Sequence, residues 1–184
     1  MSDGDRVVGS VSGRKLTAQQ AVKLFQKFWD SCGAEECGLA FGWDRPQQQL
    51  RRSETAYAFS SGDPLATVGF GTLEIDVNYA DDNEAAFTCG VFPEHRRCGH
   101  WRAIVQWLTR RARRLGADSI SQIIFLGNEK HHARVLHESE AGPWIYAGKV
   151  WYPNPYSYFV LPLDGSGSEE ALFAARAMAR RDGV

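Results

Sequence analysis

The chain has 184 residues, of which 43% are hydrophobic and 12% aromatic, so we expect one folded domain with its own core and no extensive disorder. The formal net charge of −1 argues against bulk attraction to nucleic acid or to anionic lipid. Neither an apolar leader nor a run long enough to cross a membrane occurs, which predicts a soluble, cytoplasmic protein with no membrane partner.

The cysteines show no disulfide spacing and no Cys-x-x-Cys pair. This usage predicts free thiols in a reducing cytosol. Cys89 lies in an apolar run and is expected in the core. Cys98 is expected to be a small filler in a loop, with a reactive thiol beside arginines as the alternative. The four positions are Cys32, Cys37, Cys89 and Cys98.

In the amino-terminal half, a short strand is predicted within residues 6–13. The apolar spacing that follows predicts a helix with Thr17 as N-cap and Gly33 at its end. Residues 38–54 have weak periodicity and a proline, which favours a loop with at most one helical turn. Two strands are then expected within residues 56–77, on either side of a Ser-Ser-Gly-Asp-Pro turn.

The middle of the chain carries its clearest signals. Residues 84–92 form an apolar run that predicts a strand, and Pro93 ends it. Residues 99–115 have the periodicity of an amphipathic helix that ends at Gly116, with arginines mostly off the apolar face. The apolar positions of this helix are Ile104, Trp107, Leu108 and Leu115.

The remaining elements follow from apolar runs and capping residues. A buried strand, a helix that begins at Asn128 and two aromatic-rich strands are predicted before a Gly/Ser-rich linker and a terminal helix. We expect most of these aromatic residues in the core, with one or two at a pocket. The order of elements predicts a mixed sheet covered by helices. The ranges are 119–125, 128–140, 142–152, 156–163, 164–168 and 169–181.

The segment PEHRRCGHWRAI, residues 93–104, places basic side chains and a glycine directly before a helix. The first amides of a helix have no intrahelical acceptor, and the helix dipole favours negative charge there. Arginine donates to phosphate in pairs, so a diphosphate is a reasonable ligand. A solvated turn and a nucleic-acid contact are the alternatives that the residues leave open.

Residues 91–120 resemble the acyl-CoA loop of the GCN5-related N-acetyltransferase (GNAT) superfamily. That family has a strand, then Arg/Gln-x-x-Gly-x-Gly/Ala, then a long helix, and residues 96–101 (RRCGHW) fit the first four constraints. Residues 128–148 resemble the family's second segment, and the order of elements over 55–163 matches. Two departures are Trp101, where the family has Gly or Ala, and Val-Leu-His at 135–137, where members often carry a tyrosine.

The resemblance implies a GNAT-like α/β (α+β) fold, with a mixed, mostly antiparallel central sheet and helices on both faces. It implies a single acyl-CoA-binding domain over residues 1–163. Residues 164–184 would then be a flexible linker and an extra carboxy-terminal helix, which either packs on its own domain or closes a homodimer.

It also implies acetyl-CoA, or another acyl-CoA, as co-substrate between the splayed ends of the strands at 84–92 and 119–125. The pyrophosphate would sit on the loop amides, and the pantetheine arm would pair with backbone as an added strand does. The implied cofactor-binding residues are Val91, Phe92, Arg96, Arg97, Cys98, Gly99, His100, Trp101, Arg102 and Asn128.

The implied activity is transfer of an acyl group to a primary amine of a small molecule, protein or nucleotide. This needs a base for the amine, for which Glu84 is the candidate, and an acid for the leaving thiolate, for which His137 is the candidate. A solvated surface role is the alternative for both residues. His131, His132 and His137 lack a recognisable ligand partner, so no metal is expected.

Two other classes of function remain open. Residues 95–114 hold seven arginines and no acidic residue, which is compatible with a nucleic-acid-binding or nucleic-acid-modifying protein. The two departures from the family pattern are compatible with a catalytically inactive protein of the same fold that acts through protein contacts.

Overall fold

The structure is a computed structural model, which describes residues 10–41, 54–62, 64–76, 83–125, 144–150, 156–163, 177–178 and 180–181. Apart from a second helix at Ala34–Phe41, which is longer than the single helical turn allowed for, the order of the described elements agrees with the order expected from the sequence. In chain order they are β1 (Ser12–Lys15), α1 (Ala18–Cys32), α2 (Ala34–Phe41), β2 (Glu54–Ser61), β3 (Ala66–Asp76), β4 (Glu84–Val91), a 3-10 turn (Pro93–His95), α3 (His100–Arg114), β5 (Ser119–Phe125), β6 (Ile145–Val150) and β7 (Tyr156–Pro162).

The strands form one seven-stranded sheet with the order β1-β2-β3-β4-β5-β7-β6. All neighbouring strands are antiparallel except β4 and β5, which run parallel and are joined through α3. The expectation of a mixed, mostly antiparallel sheet is therefore confirmed. The division of the chain at residue 163 stays a prediction.

Alternating residues of the strands bury two separate clusters. Tyr57 and Phe59 of β2 lie in the cluster that also contains α3 residues such as Leu108. Ala56 and Ala58, between and beside them, lie in the cluster that contains Phe25 and Phe28 of α1. Helix α3 therefore covers one surface of the sheet, which we call the α3 face, and α1 covers the other, which we call the α1 face. The expectation of helices on both faces is confirmed.

Helix α1 begins and ends where the sequence predicted. Thr17 accepts from the Gln20 backbone N–H, while the Gln20 side chain accepts from the Thr17 N–H, so a complete capping box closes the helix. At the other end Gly33 has φ +84° and donates to Trp29 O at 2.8 Å. Helix α2 follows directly. It includes residues 38–41, the beginning of the segment for which the sequence predicted a loop with at most one helical turn.

Helix α3 buries the expected apolar stripe and exposes arginines on its other side. Ile104 and Leu108 are fully buried, and Trp107 is half-buried. The expectation that Leu115 shares this stripe is wrong, because Leu115 is 46% exposed. It is the C-cap residue, one position beyond the end of α3 at Arg114.

Several predicted elements lie outside the described residues. These are the helix at 128–140 with Asn128 and His137, and the linker at 164–168. Within the predicted terminal helix, residues 177–178 and 180–181 are helical. No helix in the described part of the chain is both long enough and apolar enough to cross a membrane. A cytoplasmic location and a homodimer stay predictions.

Candidate functional site

Strands β4 and β5 pair only at their beginnings. Their register joins Glu84 to Ser119, Ala85 to Ile120 and Ala86 to Ser121. Although β4 continues to Val91 and β5 to Phe125, the register contains no further pair between these two strands. A gap therefore opens in the middle of the sheet towards the carboxyl ends of both strands.

The backbone of β4 presents hydrogen-bonding groups to this gap. Phe92 N donates to Val68 O of the β3 side at 3.0 Å. Because the groups of successive residues point to opposite edges of a strand, those of Cys89 and Val91 face away from β3 and towards the gap. Of these groups, Val91 O accepts a hydrogen bond from Arg96 Nε at 3.2 Å. An extended ligand in the gap could form hydrogen bonds with the remaining backbone groups of Cys89 and Val91.

The loop between β4 and α3 has an unusual backbone conformation at its carboxyl end. Arg97 has φ +63°, and among the described residues no other non-glycine residue has positive φ. Gly99, the N-cap of α3, is left-handed with φ +77° and provides no side-chain cap. The carbonyl of Gly99 accepts from Ala103 N at 3.2 Å, which begins the helical ladder. The amides of the first turn, at the positive end of the helix dipole, point out of the helix.

The side chain of Arg96 is directed to the α1–α2 corner. Its Nη2 donates to Cys32 Sγ at 3.2 Å and to the carboxylate of Glu36. Burial lowers the pKa of Arg96, but the hydrogen bond and charge of Glu36 outweigh it, so the pKa is raised overall. Arg96 thus anchors the loop to α1 and α2, a role the sequence did not predict. Phosphate binding by Arg96 stays a prediction.

The first residues of α3 differ in their surroundings. Trp101 is partly buried and packs against the cluster on the α3 face. Arg97, Cys98 and Gly99 are exposed. His100 Nδ1 is buried and has no hydrogen-bond partner in the part of the chain that the structure describes. Burial, with the charge of His95 nearby, lowers the pKa of His100.

All four cysteines are free thiols, as predicted. Cys89 is buried on β4, as expected, and burial raises its pKa. Burial raises the pKa of Cys37 to about 12 and, together with Glu36, raises that of Cys32. Cys98 is exposed and its thiol donates to Arg96 O at 3.4 Å.

Glu84 has a partner that the sequence analysis missed. It is half-buried at the beginning of β4, and its carboxylate accepts a hydrogen bond from the hydroxyl of Tyr158 on β7. Both side chains lie on the α1 face, since Phe92 on β4 belongs to that face and Phe159, next to Tyr158, belongs to the other. No local sequence signal joins residues 74 positions apart. His137 and Asn128 lie outside the described residues.

The arginines of α3 lie mainly on its outer side. Arg110, Arg113 and Arg114 are exposed, and Arg111 donates to Tyr57 Oη at 3.4 Å. Nucleic-acid binding by this surface stays a prediction. Over the residues that can be described, no group of three or more His, Cys, Asp or Glu side chains has the arrangement of a metal site.

The architecture is that of known acyltransferases. The spermidine N-acetyltransferase from Vibrio cholerae, solved in complex with CoA and spermine, superposes with a TM-score of 0.64 at 12% identity, over 84% of this chain and 96% of that one. A candidate phosphinothricin N-acetyltransferase also gives 0.64, at 14% identity over 84% and 99%. A GNAT-family protein from Desulfovibrio desulfuricans gives 0.62, at 12% identity over 84% and 99%.

These likenesses define the class of fold. The chain has the fold of the GCN5-related N-acetyltransferases, and the resemblance read from residues 91–120 is confirmed at that level. No protein-family model and no curated protein sequence matches the chain. At identities of 12–14% the fold alone is shared, and the substrate has to be argued from the site.

Proposed function

We propose that this protein is an acyl-CoA-dependent N-acyltransferase that transfers an acetyl group from acetyl-CoA to a primary amine. The observation that carries the proposal is the gap between β4 and β5, which opens directly beside the uncapped amino terminus of α3. The gap suits an extended amide-bearing chain and the helix terminus suits a diphosphate, and these two groups follow one another in coenzyme A.

The diphosphate would bind the amides from Cys98 to Arg102. The left-handed conformations of Arg97 and Gly99 turn the chain into a concavity of N–H groups, which is the geometry of anion sites at helix termini. The charge of exposed Arg97 adds to the attraction. The pantetheine arm would pair with the free edge of β4 at Cys89 and Val91, with Arg96 Nε as its competitor for Val91 O.

Glu84 would act as the general base. The attacking amine must lose a proton, and Glu84 is the carboxylate that begins β4, two residues before the last paired residue at the gap. The Tyr158 hydroxyl donates to this carboxylate and would fix its orientation. His137 remains the candidate acid for the leaving thiolate from the sequence alone.

A small-molecule amine is the acceptor that the comparisons favour. The Vibrio cholerae relative was solved with CoA and spermine, a polyamine. In this chain a cationic amine would be attracted to the half-buried Glu84 before it is deprotonated.

Calorimetric titration with acetyl-CoA and with its 3′-dephospho analogue tests the cofactor, and thiol release from acetyl-CoA against a panel of amines tests the transfer. We expect micromolar binding of acetyl-CoA and amine-dependent thiol release. Absence of binding to either compound, alongside tight and salt-sensitive binding of DNA or RNA, would instead favour a nucleic-acid-binding protein.

Replacing Glu84 by Gln tests the base. We expect Glu84→Gln to lower kcat by roughly a hundredfold or more, because general-base catalysis contributes about that much, while acetyl-CoA affinity stays unchanged. Glu35→Gln, an exposed carboxylate on α2, is the matched control and should leave kcat unchanged. A Glu84→Gln enzyme with unaltered kcat would remove Glu84 from the mechanism.

A further inference from the structure

Gln122 lies where β4 and β5 separate. The last residue of β5 that pairs with β4 is Ser121, opposite Ala86, so Gln122 is the first residue beyond the junction. Its side chain is directed to the α3 face, because residues alternate along the strand and Ile120 and Ile124 on either side belong to the cluster of that face. Gln122 is only 7% exposed.

The side-chain oxygen of Gln122 is buried without a partner. Over the described residues, Oε1 has no hydrogen-bond partner, although it is inaccessible to solvent. Burying such a group without a partner costs about 1–3 kcal/mol, and most buried polar atoms are paired. A methionine or leucine would fill a core position at no such cost, so the glutamine calls for a partner that none of the described residues supplies.

The neighbours of Gln122 on this face are aromatic. Its register partner on β7 is Phe159, which is fully buried. Across the gap the next residue of β4 is Phe87, and the ring of Trp144 packs on it with centroids 5.9 Å apart. None of these rings is hydrogen-bonded to the amide oxygen, and the indole Nε1 of Trp144 is likewise buried without a partner over the described residues.

We propose that Gln122 Oε1 binds an amide N–H of the pantetheine arm close to the thioester, and so positions the acyl group at the junction of β4 and β5. This rests on the proposed function. The acceptor amine is a less suitable donor, because Glu84, which would bind it, lies on the opposite face of the sheet. An arm in the gap would pass Gln122, which is the first residue of β5 beyond the last pair with β4.

Replacement of Gln122 by Met, which has a similar volume and no acceptor oxygen, tests the assignment. Thr109→Val is the matched control, since Thr109 Oγ1 is also buried without a partner over the described residues but belongs to α3 and not to a strand that borders the gap. The probes are CoA, acetyl-CoA and adenosine 3′,5′-bisphosphate, which lacks the pantetheine arm. Affinities are measured by calorimetry and folding by thermal melting, with Gln122→Leu as the second variant should the Met variant not fold.

We expect Gln122→Met to weaken CoA and acetyl-CoA roughly threefold to tenfold, the effect of one neutral hydrogen bond, and to leave the bisphosphate unchanged. Its melting temperature should hold or rise, as in Thr109→Val, because each variant removes an unpaired buried atom. Unchanged CoA affinity in Gln122→Met would overturn the proposal, and so would a raised KM for the amine with CoA affinity intact. A wild-type protein that binds no CoA would instead refute the proposed function.

Discussion

The two longest helices of the described chain begin in opposite ways. Helices α1 and α3 have 15 residues each, and both are amphipathic and pack against the central sheet. Thr17 and Gln20 satisfy two of the orphan amides of α1 through a capping box. Helix α3 begins at a left-handed glycine with no side-chain cap. A capping residue typically contributes about 1 kcal/mol, and its absence from α3 leaves the first amides of this helix open, as the proposed diphosphate site requires.

The difference does not extend to the other end of α3. There Leu115 N donates to Arg111 O at 3.1 Å and Gly116, with φ +88°, donates to Arg113 O at 3.1 Å. Basic residues in the last turn complement the helix dipole. The carboxyl terminus of α3 thus has its usual capping hydrogen bonds. The amino terminus, beside the gap, is the end without a side-chain cap.

Gly99→Asp should weaken the binding of acetyl-CoA more than any other substitution discussed below. Aspartate tolerates a left-handed conformation, but its charge would lie where the diphosphate is proposed to bind. At about 5 Å in a partly solvated site the repulsion is on the order of 3 kcal/mol, so acetyl-CoA affinity should fall by about a hundredfold in calorimetry. Gly99→Asn is the neutral control and should lose only a few-fold. Equal affinities for the two variants would contradict an anion site at α3.

Thr17→Ala removes the side-chain cap of α1. Removing the cap should lower the free energy of unfolding by about 1 kcal/mol, and hence the melting temperature by about 2–4 °C. Acetyl-CoA affinity should stay at the wild-type value, because this cap only stabilises the helix. If Thr17→Ala weakened acetyl-CoA as Gly99→Asp does, the open start of α3 would have no special role.

The smallest expected effect concerns His100. Burial and the charge of His95 lower its pKa from the ordinary 6.5, so the folded state takes up this proton less readily than the unfolded state. The free energy of unfolding should therefore fall as the pH drops through 6.5 towards the lowered pKa of His100. Chemical denaturation across this range measures the effect, and His100→Gln should flatten the slope. An unaltered slope in that variant would assign the pH dependence to other groups.

A bound diphosphate should reverse this shift, because an anion beside His100 favours the protonated ring. Acetyl-CoA binding at about pH 6 should then take up a fraction of a proton, measured by calorimetry in buffers of different ionisation enthalpy. His100→Gln is again the control. Equal proton uptake by the wild type and this variant would place the diphosphate away from His100.

The elements could be predicted because their signals are local. Thr17 and Gly33 mark the ends of α1, Pro93 follows β4, and Gly99 begins α3. Each of these residues acts through its own backbone or through neighbours three or four positions away. The resemblance to the GNAT loop depends on the same local features, which explains why the fold class followed from the sequence.

The contacts that complete the site could not be predicted, because they depend on the order of the strands. The Tyr158–Glu84 hydrogen bond exists because β7 lies beside β5 rather than beyond β6. The ion pair of Arg96 with Glu36 joins a loop to a helix 60 residues earlier. The location of Gln122 at the gap could be recognised only from the strand register, because the β4–β5 pairing ends one residue before it.

The most direct test of the account is to follow backbone amide resonances of the isotopically labelled protein during titration with acetyl-CoA. We predict that the largest shifts occur at Cys98 to Arg102 and at Cys89 and Val91, while the amides of β1 stay in place. Shifts confined to the outer side of α3 around Arg110 and Arg113, with the loop unperturbed, would contradict an acyl-CoA site between β4, β5 and α3.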